Sequence, residues 1–210
     1  MEFTRLVSLG FRCRTGFRLR QYFGVSETYP FDWWIISAEG VLDFLADWDV
    51  DRLFDADAME VFLTGDGVGW IDQPRYGVRF FHDFPKVGKL MTLHWRDHLP
   101  DARSRTAHLM DKFRKLDRPG ERILFVREMA PWETLSPPLL ERLRGEIRRA
   151  LPLADCHFLL ISPDGAAVDG WEPLKIDDPA QEPWTGDQGL WDSALATLGH
   201  RVRSPTQVTI

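Results

Sequence analysis

The chain has 210 residues, of which 44% are hydrophobic and 28% are charged, a composition typical of a globular protein and not of a disordered one. Its formal net charge of −6 argues against general binding to nucleic acid. No apolar run approaches the roughly 18 residues that a membrane helix needs, and the N-terminus lacks the apolar core of a signal peptide. We therefore expect one cytoplasmic domain over residues 1–210, with no membrane span.

The chain has two cysteines, Cys13 and Cys156. The reducing cytoplasm keeps such residues as free thiols, and two cysteines without a CxxC motif cannot supply four zinc ligands. His94 and His98 are spaced to share one helix face, but the sequence offers them no obvious third ligand. We therefore expect no metal site and no cofactor.

Strand-like and helix-like segments alternate along the chain. Short apolar runs closed by glycine, proline or charged residues predict strands, and apolar residues at helical spacing predict helices. In chain order the predicted elements are the strand Leu6–Leu9, the helix Thr15–Phe23, an extended loop at Thr28–Trp34, the helix Ala38–Trp48, a shorter helix within Asp51–Phe62, the strand Val78–Phe81, the helix Arg103–Leu116, the strand Ile123–Val126, the helix Pro137–Leu151, the strands Phe158–Ile161 and Trp171–Ile176, and the helix Leu190–Leu198.

The segment Glu121–Ser162 contains a strand, a long helix and a second strand, which together predict a βαβ unit with two parallel strands. With the first strand and helix, this unit indicates a three-layer, Rossmann-like α/β domain with a mainly parallel central sheet. Ligands bind to such sheets beyond the carboxyl ends of the strands. That rule selects the residues that follow each predicted strand: Ser8, Gly10, Cys13, His82, Asp83, Arg127, Glu128, Ser162 and Asp164.

Cys13 is the first candidate catalytic residue. It lies at or just before the start of a predicted helix, between Arg12 and Arg14, and both the helix dipole and the arginines favour the thiolate form. A nucleophilic thiol needs a base, and His82, at the end of the second predicted strand, is the candidate. The alternatives are a buried structural cysteine and a structural or exposed histidine.

The aromatic segment Tyr29-Pro30-Phe31-Asp32-Trp33-Trp34 is a second candidate feature. An aspartate among rings is costly to bury unless it is paired. We consider Asp32 a better group than Asp83 to orient His82, because adjacent residues of one strand point to opposite faces. Trp33 would then line a substrate cleft, and the alternative is a packed loop in which Asp32 caps the following turn.

Four segments, VSLGFRC, YPFDWW, FFHDF and ILFVRE, occur in this order over roughly residues 5–130. As a set they resemble a bacterial family of unknown function that is described as papain-like cysteine peptidases. The resemblance implies Cys13 as nucleophile, His82 as base and Asp32 or Asp83 as the third member, and it implies a papain-like α+β fold as the alternative to the parallel sheet. Members of that family lie near surface-polysaccharide and glycosyltransferase genes, which implies modification of glycans or conjugates as much as protein cleavage.

Three functions follow. In a cysteine-dependent hydrolase, peptidase or acyl transferase, Cys13 and His82 perform the chemistry, and backbone N–H groups near Gly10–Arg14 hold the oxyanion. In a transferase of the glycosyltransferase kind, Arg127 and the arginines of the first helix hold a phosphate. In a non-catalytic module, an aromatic cleft binds the ligand. The expected partner is a small-molecule, peptide or glycan-conjugate substrate, and the predicted binding residues are Ser8, Gly10, Arg14, Trp33 and Arg127.

Overall fold

The computed structural model describes residues 2–65, 67–88, 90–178 and 184–201. The strands are β1 Arg5–Ser8, β2 Trp34–Ile36, β3 Glu60–Thr64, β4 Gly67–Gln73, β5 Val78–Phe80, β6 Lys86–Val87, β7 Leu90–Met91, β8 Arg122–Glu128, β9 Asp155–Ser162 and β10 Glu172–Lys175. The α-helices are α1 Cys13–Phe23, α2 Ala38–Asp47, α3 Val50–Leu53, α4 Leu99–Arg114, α5 Pro137–Ala150 and α6 Gln188–Leu195. None of the helices within these ranges is long and apolar enough to cross a membrane.

Four strands form a parallel sheet in the order β1-β8-β9-β10. Helix α5 connects β8 to β9, and these two strands are direct neighbours, so the predicted βαβ unit is confirmed. Ser136 caps this helix, since its hydroxyl accepts a hydrogen bond from the Leu139 N–H at 3.4 Å. The chain is therefore a mixed α/β protein that contains a four-stranded parallel sheet.

Both faces of the parallel sheet are covered by apolar side chains. Successive residues of β8 point to opposite faces, so Leu124 joins an apolar cluster with α6, whereas Phe125 joins a cluster with α5. Burial on both faces explains why β8 and β9 are almost continuously hydrophobic. Helix α1 follows β1 and packs against the first of these clusters through Leu19. This differs from the papain-like alternative, in which the cysteine helix packs on an antiparallel sheet.

A second, antiparallel sheet was not predicted from the sequence. Its order is β2-β5-β4-β7-β6, with β3 paired to β4. The predicted strand Val78–Phe81 is β5, which belongs to this sheet and not to the parallel one. The helix predicted over Asp51–Phe62 was wrong beyond Leu53, where α3 ends, and its last residues belong to β3, which begins at Glu60.

The two sheets meet at the buried guanidinium of Arg127, which has no solvent exposure. Its Nη1 donates hydrogen bonds to the carbonyl oxygens of Leu9, just after β1, at 2.8 Å and of Ile36, in β2, at 3.0 Å. Its Nη2 lies 2.7 Å from each carboxylate oxygen of Glu133. One apolar cluster continues across this joint from the parallel sheet into the antiparallel sheet.

Candidate active site

Cys13 is the first residue of α1 and is half-buried. The preceding residue, Arg12, provides no side-chain cap, so the first-turn backbone N–H groups are not occupied by a capping side chain. Burial raises the pKa of the thiol, and the backbone N–H groups of Cys13 and Arg14 and the charges of Arg12 and Lys86 lower it by less. The expected shift towards thiolate is therefore wrong: burial outweighs the helix start and the arginine.

His82 is exposed and lies two residues beyond β5. Its ring packs edge-on against Trp33, with ring centroids 5.5 Å apart. Burial of part of the imidazole and the charge of Lys86 lower its pKa. In the described part of the chain no hydrogen bond joins the imidazole to the Cys13 thiol, and Cys13 makes no contribution to that pKa shift.

Lys86, the first residue of β6, was not identified from the sequence. Its positive charge lowers the pKa of both Cys13 and His82, so both groups lie within electrostatic range of the ammonium group. Its Nζ lies 4.0 Å from the ring centroid of Phe81. The signal in the sequence is weak: a lysine four residues after the candidate base. We call Cys13, His82 and Lys86 the thiol cluster.

Asp32 does not orient His82, which corrects that prediction. Its carboxylate is buried and receives hydrogen bonds from Arg20 Nη1 at 2.6 Å and from the Tyr29 N–H at 3.1 Å. Burial raises the pKa of Asp32 to about 6, although Arg20 lowers it. A Cβ atom on Gly16 would lie 2.8 Å from the Asp32 Oδ1 atom, so this carboxylate fixes α1 closely against the aromatic segment.

Asp83 does not orient His82 either, since it contributes nothing to the histidine's pKa shift. Burial raises the pKa of Asp83 to about 6, while the Trp34 side chain and the charge of Arg105 lower it. Its Oδ2 atom is buried with no hydrogen-bond partner among the described residues. Asp83 and His82 both line a cavity of about 490 Å³ with Trp33, so the aromatic segment does form a cleft wall.

A separate cavity of about 460 Å³ lies beyond the carboxyl ends of the parallel strands. We call it the carboxyl-end cavity, and its polar and aromatic lining includes Arg12, Arg14, Glu128, Trp132, Ser162, Asp177 and Asp178. Two residues of the antiparallel sheet, Ile35 of β2 and Arg79 of β5, also line it. The cavity therefore occupies the position that the strand-end rule predicts for a ligand.

Arg14 lines the carboxyl-end cavity but is engaged by protein groups. Its guanidinium forms ion pairs with Glu128 and with Asp178, the latter at 3.3 Å. The second oxygen of Glu128 accepts a hydrogen bond from Thr15 Oγ1 at 2.6 Å. Asp178 also accepts a hydrogen bond from the Trp191 indole at 3.0 Å. These buried contacts within the protein are enough to hold Arg14 in place, so its position gives no evidence for a bound substrate.

Three other predicted binding residues have structural roles, which corrects the sequence analysis. Arg127 is fully buried, its Nη1 and Nη2 groups are bonded as described above, and it lines neither cavity, so a phosphate cannot reach it. Ser8 is 2% exposed and its hydroxyl accepts a hydrogen bond from the Gly10 N–H at 3.2 Å. Gly10 has a φ of +85°, and a Cβ there would lie 3.1 Å from the Arg127 guanidinium. These residues shape the turn after β1.

The strand-end rule therefore brings together only part of the predicted set. Arg14, Glu128 and Ser162 meet at the carboxyl-end cavity, because β1, β8 and β9 are neighbours. His82 and Asp83 line a different cavity, because β5 belongs to the other sheet. Within the described ranges, no group of three His, Cys, Asp or Glu side chains is arranged to hold a metal ion.

Comparison with protein-family models, with curated proteins and with solved structures finds no match to this chain. The resemblance to papain-like cysteine peptidases therefore stays a prediction. Any function must be argued from the thiol cluster and from the two cavities themselves.

Proposed function

We propose that the protein is a cysteine-dependent hydrolase or acyl transferase in which Cys13 is the nucleophile and His82 the general base. One observation supports the proposal: the charge of Lys86 acts on both Cys13, the first residue of α1, and His82, so a thiol and an imidazole share one ammonium group within electrostatic range. Clusters of titratable groups with shifted pKa values are typical of catalytic sites.

The directions of the shifts define the starting state. Burial raises the pKa of the Cys13 thiol above that of a free cysteine and lowers the pKa of the His82 imidazole below that of a free histidine, so both groups favour their uncharged forms at neutral pH. The pair would thus work by general-base catalysis and not as a preformed thiolate–imidazolium pair. As the sulfur bonds to a substrate carbonyl carbon, the thiol proton passes through one bridging water molecule to His82, because the two side chains are not hydrogen-bonded to each other, and the carbonyl π electrons move to oxygen.

The oxyanion formed in this step needs hydrogen-bond donors. The backbone N–H groups of Cys13 and Arg14 lower the thiol pKa, so they can stabilise negative charge beside the sulfur, and Lys86 adds a positive charge. Collapse of the intermediate breaks the bond to the leaving group, which takes the proton back from His82. Water gives hydrolysis of the resulting thioester, and another acceptor gives acyl transfer.

The cavity beside His82 and Trp33 is the proposed substrate site, and its aromatic wall and polar groups suit a peptide or a glycan conjugate. We infer a cytoplasmic location, because a nucleophilic thiol must stay reduced; both cysteines are free. Asp32 and Asp83 have no part in the proton transfer.

The test uses 4-nitrophenyl acetate, an ester that acylates reactive thiols. The protein should release a burst of 4-nitrophenolate and retain one acetyl group on Cys13, detected by mass spectrometry. Cys13→Ser should abolish the burst, and His82→Gln should slow it by about 10²-fold or more. Cys156→Ser and His94→Gln are matched controls that should leave it unchanged. A full burst in a folded Cys13→Ser protein would refute the proposal.

A second candidate is a transferase for a phosphate-bearing substrate, and the carboxyl-end cavity favours it. In this view the parallel sheet with helices on both faces is a three-layer, Rossmann-like unit that binds its ligand at the strand ends. Arg127 cannot hold the phosphate there, because it is buried and bonded to Glu133. The other alternative, a non-catalytic module, would use the cavity beside Trp33 and predicts no acetyl-enzyme.

A further inference from the structure

We propose that the carboxyl-end cavity binds a nucleoside phosphate, with the phosphate against Arg12 and the base against Trp132. This site is distinct from the thiol cluster, and the proposal does not depend on cysteine chemistry. The cavity volume of about 460 Å³ lies in the range of small-molecule sites. Its walls come from the ends of all four parallel strands and from two strands of the other sheet, as in α/β proteins that bind a ligand at the strand ends.

Arg12 is the cation of this cavity that an anion can reach. The other two arginines of the lining are paired: Arg14 as described above, and Arg79 with both carboxylate oxygens of Asp72 at 2.9 and 3.0 Å. Arg12 forms no ion pair with any described residue, and its Nε is buried without a hydrogen-bond partner there. Burial and the charge of Arg14 lower the pKa of Arg12, whereas the charges of Glu128 and Asp178, both ion-paired with Arg14, raise it. The guanidinium fork of Arg12 suits phosphate oxygens.

Trp132 supplies a surface for a planar ring. Its side chain is 63% exposed although the residue lies in the cavity wall, and an exposed tryptophan in a concave site is typical of a stacking platform. Its ring packs edge-on against Phe11 at 5.3 Å, and the Arg12 guanidinium lies 4.9 Å from the centroid of that same Phe11 ring. The guanidinium and the indole therefore flank one ring, within reach of the two ends of a single nucleotide.

Of the three carboxylates in the lining, Glu128 and Asp178 are ion-paired with Arg14, and Asp177 is exposed. A carboxylate beside the site repels a ligand that carries only negative charge but accepts hydrogen bonds from hydroxyl groups. A ribose between base and phosphate supplies such hydroxyls. Guanidinium, carboxylate and indole thus match the phosphate, sugar and base of a nucleotide, whereas inorganic phosphate would use only the first.

Isothermal titration calorimetry of the whole chain with UDP, ADP and GDP tests the proposal. At least one should bind with a Kd below about 1 mM, and inorganic pyrophosphate and the matching nucleoside should each bind about tenfold more weakly or worse. Arg12→Gln should weaken the diphosphate about tenfold or more without affecting the nucleoside. Trp132→Ala should weaken both, and Arg96→Gln and Trp184→Ala, which replace an exposed arginine and an exposed tryptophan elsewhere, should weaken neither.

Two outcomes overturn the proposal: no saturable binding of any diphosphate, or binding that Arg12→Gln leaves unchanged. If pyrophosphate binds as tightly as the nucleoside diphosphates, the cavity recognises only the anion, and the proposal that it binds a nucleotide is refuted. If Arg12→Gln does not fold, Arg12→Lys keeps the charge without the fork and should still weaken binding. Cys13→Ser should bind the diphosphate normally, which separates failure of this site from failure of the thiol cluster.

Discussion

Replacing Glu133 with glutamine tests whether a buried ion pair holds the two sheets together. Glu133 meets the fully buried Arg127 through two contacts of 2.7 Å. It also accepts hydrogen bonds from the backbone N–H groups of Ala130 at 2.9 Å and of Ala38, the first residue of α2. Glu133→Gln removes the carboxylate that pairs with the Arg127 guanidinium. It also places an amide NH₂ group, which is a donor, against the N–H donors that the carboxylate now accepts from.

The expected loss is large, because removing one partner of a buried pair costs about 3–5 kcal/mol of unfolding free energy. Urea unfolding followed by circular dichroism at neutral pH measures it. The matched control is Glu146→Gln, whose partner Arg149 is exposed and lies three residues along the same helix. That change should cost less than about 1 kcal/mol.

A double variant separates the pair from its surroundings. Arg127→Met removes the buried charge but leaves the Leu9 and Ile36 carbonyl oxygens without their donor, so it too should destabilise the protein. Arg127→Met combined with Glu133→Gln should lose less than the two single losses added together, because no charge is then left unpaired. If Glu133→Gln costs no more than Glu146→Gln, the joint does not depend on the ion pair and our account of Arg127 is wrong.

Three further predictions follow from burial and close contacts. Iodoacetamide should alkylate Cys13 faster than Cys156 near neutral pH, because Cys156 is buried with its pKa raised to about 11; equal rates by peptide mass spectrometry would contradict this. Burial raises the pKa of Asp83 from 3.8 to about 6, so the folded state holds this proton more tightly, and the contribution of Asp83 to the unfolding free energy falls by up to about 3 kcal/mol as the pH rises from about 4 to above about 6. Asp83→Asn should remove that part of the pH dependence in urea unfolding, and an unchanged slope would refute the assignment. Gly40→Ala should destabilise the protein by about 1–3 kcal/mol, because its Cβ would lie 2.1 Å from the Tyr76 carbonyl oxygen, whereas Gly145→Ala, in the open on α5, should raise the melting temperature; equal effects would show that the contact at Gly40 relaxes.

The parallel half of the fold was predictable because its signals are local and strong. The β8 and β9 segments are apolar runs, α5 has apolar residues at helical spacing, and Ser136 stands where a cap is needed. The antiparallel sheet has no such signals. Its strands β2, β6 and β7 are two or three residues long, too short to show a period of two, and β3 is mostly exposed, so no apolar alternation marks it.

The sequence predicted the grouping of candidate site residues correctly only for those that follow strands of the parallel sheet. The strand-end rule correctly grouped Glu128 with Ser162, which end the neighbouring strands β8 and β9 and line the same cavity. It failed for His82, because nothing in the residues around β5 says which sheet that strand joins. It failed for Arg127 because a buried arginine and a ligand-binding arginine look alike in sequence, and the partner, Glu133, lies six residues away in a connecting segment.

The first turn of α1 connects the two proposed sites. Arg12 lines the carboxyl-end cavity, whereas Cys13, the next residue, belongs to the thiol cluster. The charge of Arg12 lowers the pKa of Cys13, so an anion that neutralises Arg12 should raise that pKa further and leave less thiolate. Because linkage between two binding equilibria is reciprocal, ionisation of Cys13 must weaken the binding of the anion by the same factor. Saturating UDP, or whichever diphosphate binds, should therefore slow iodoacetamide alkylation of Cys13 in the wild type but not in Arg12→Gln. A rate that falls equally in both proteins would mean that the nucleotide blocks access to the thiol and does not act through the charge of Arg12.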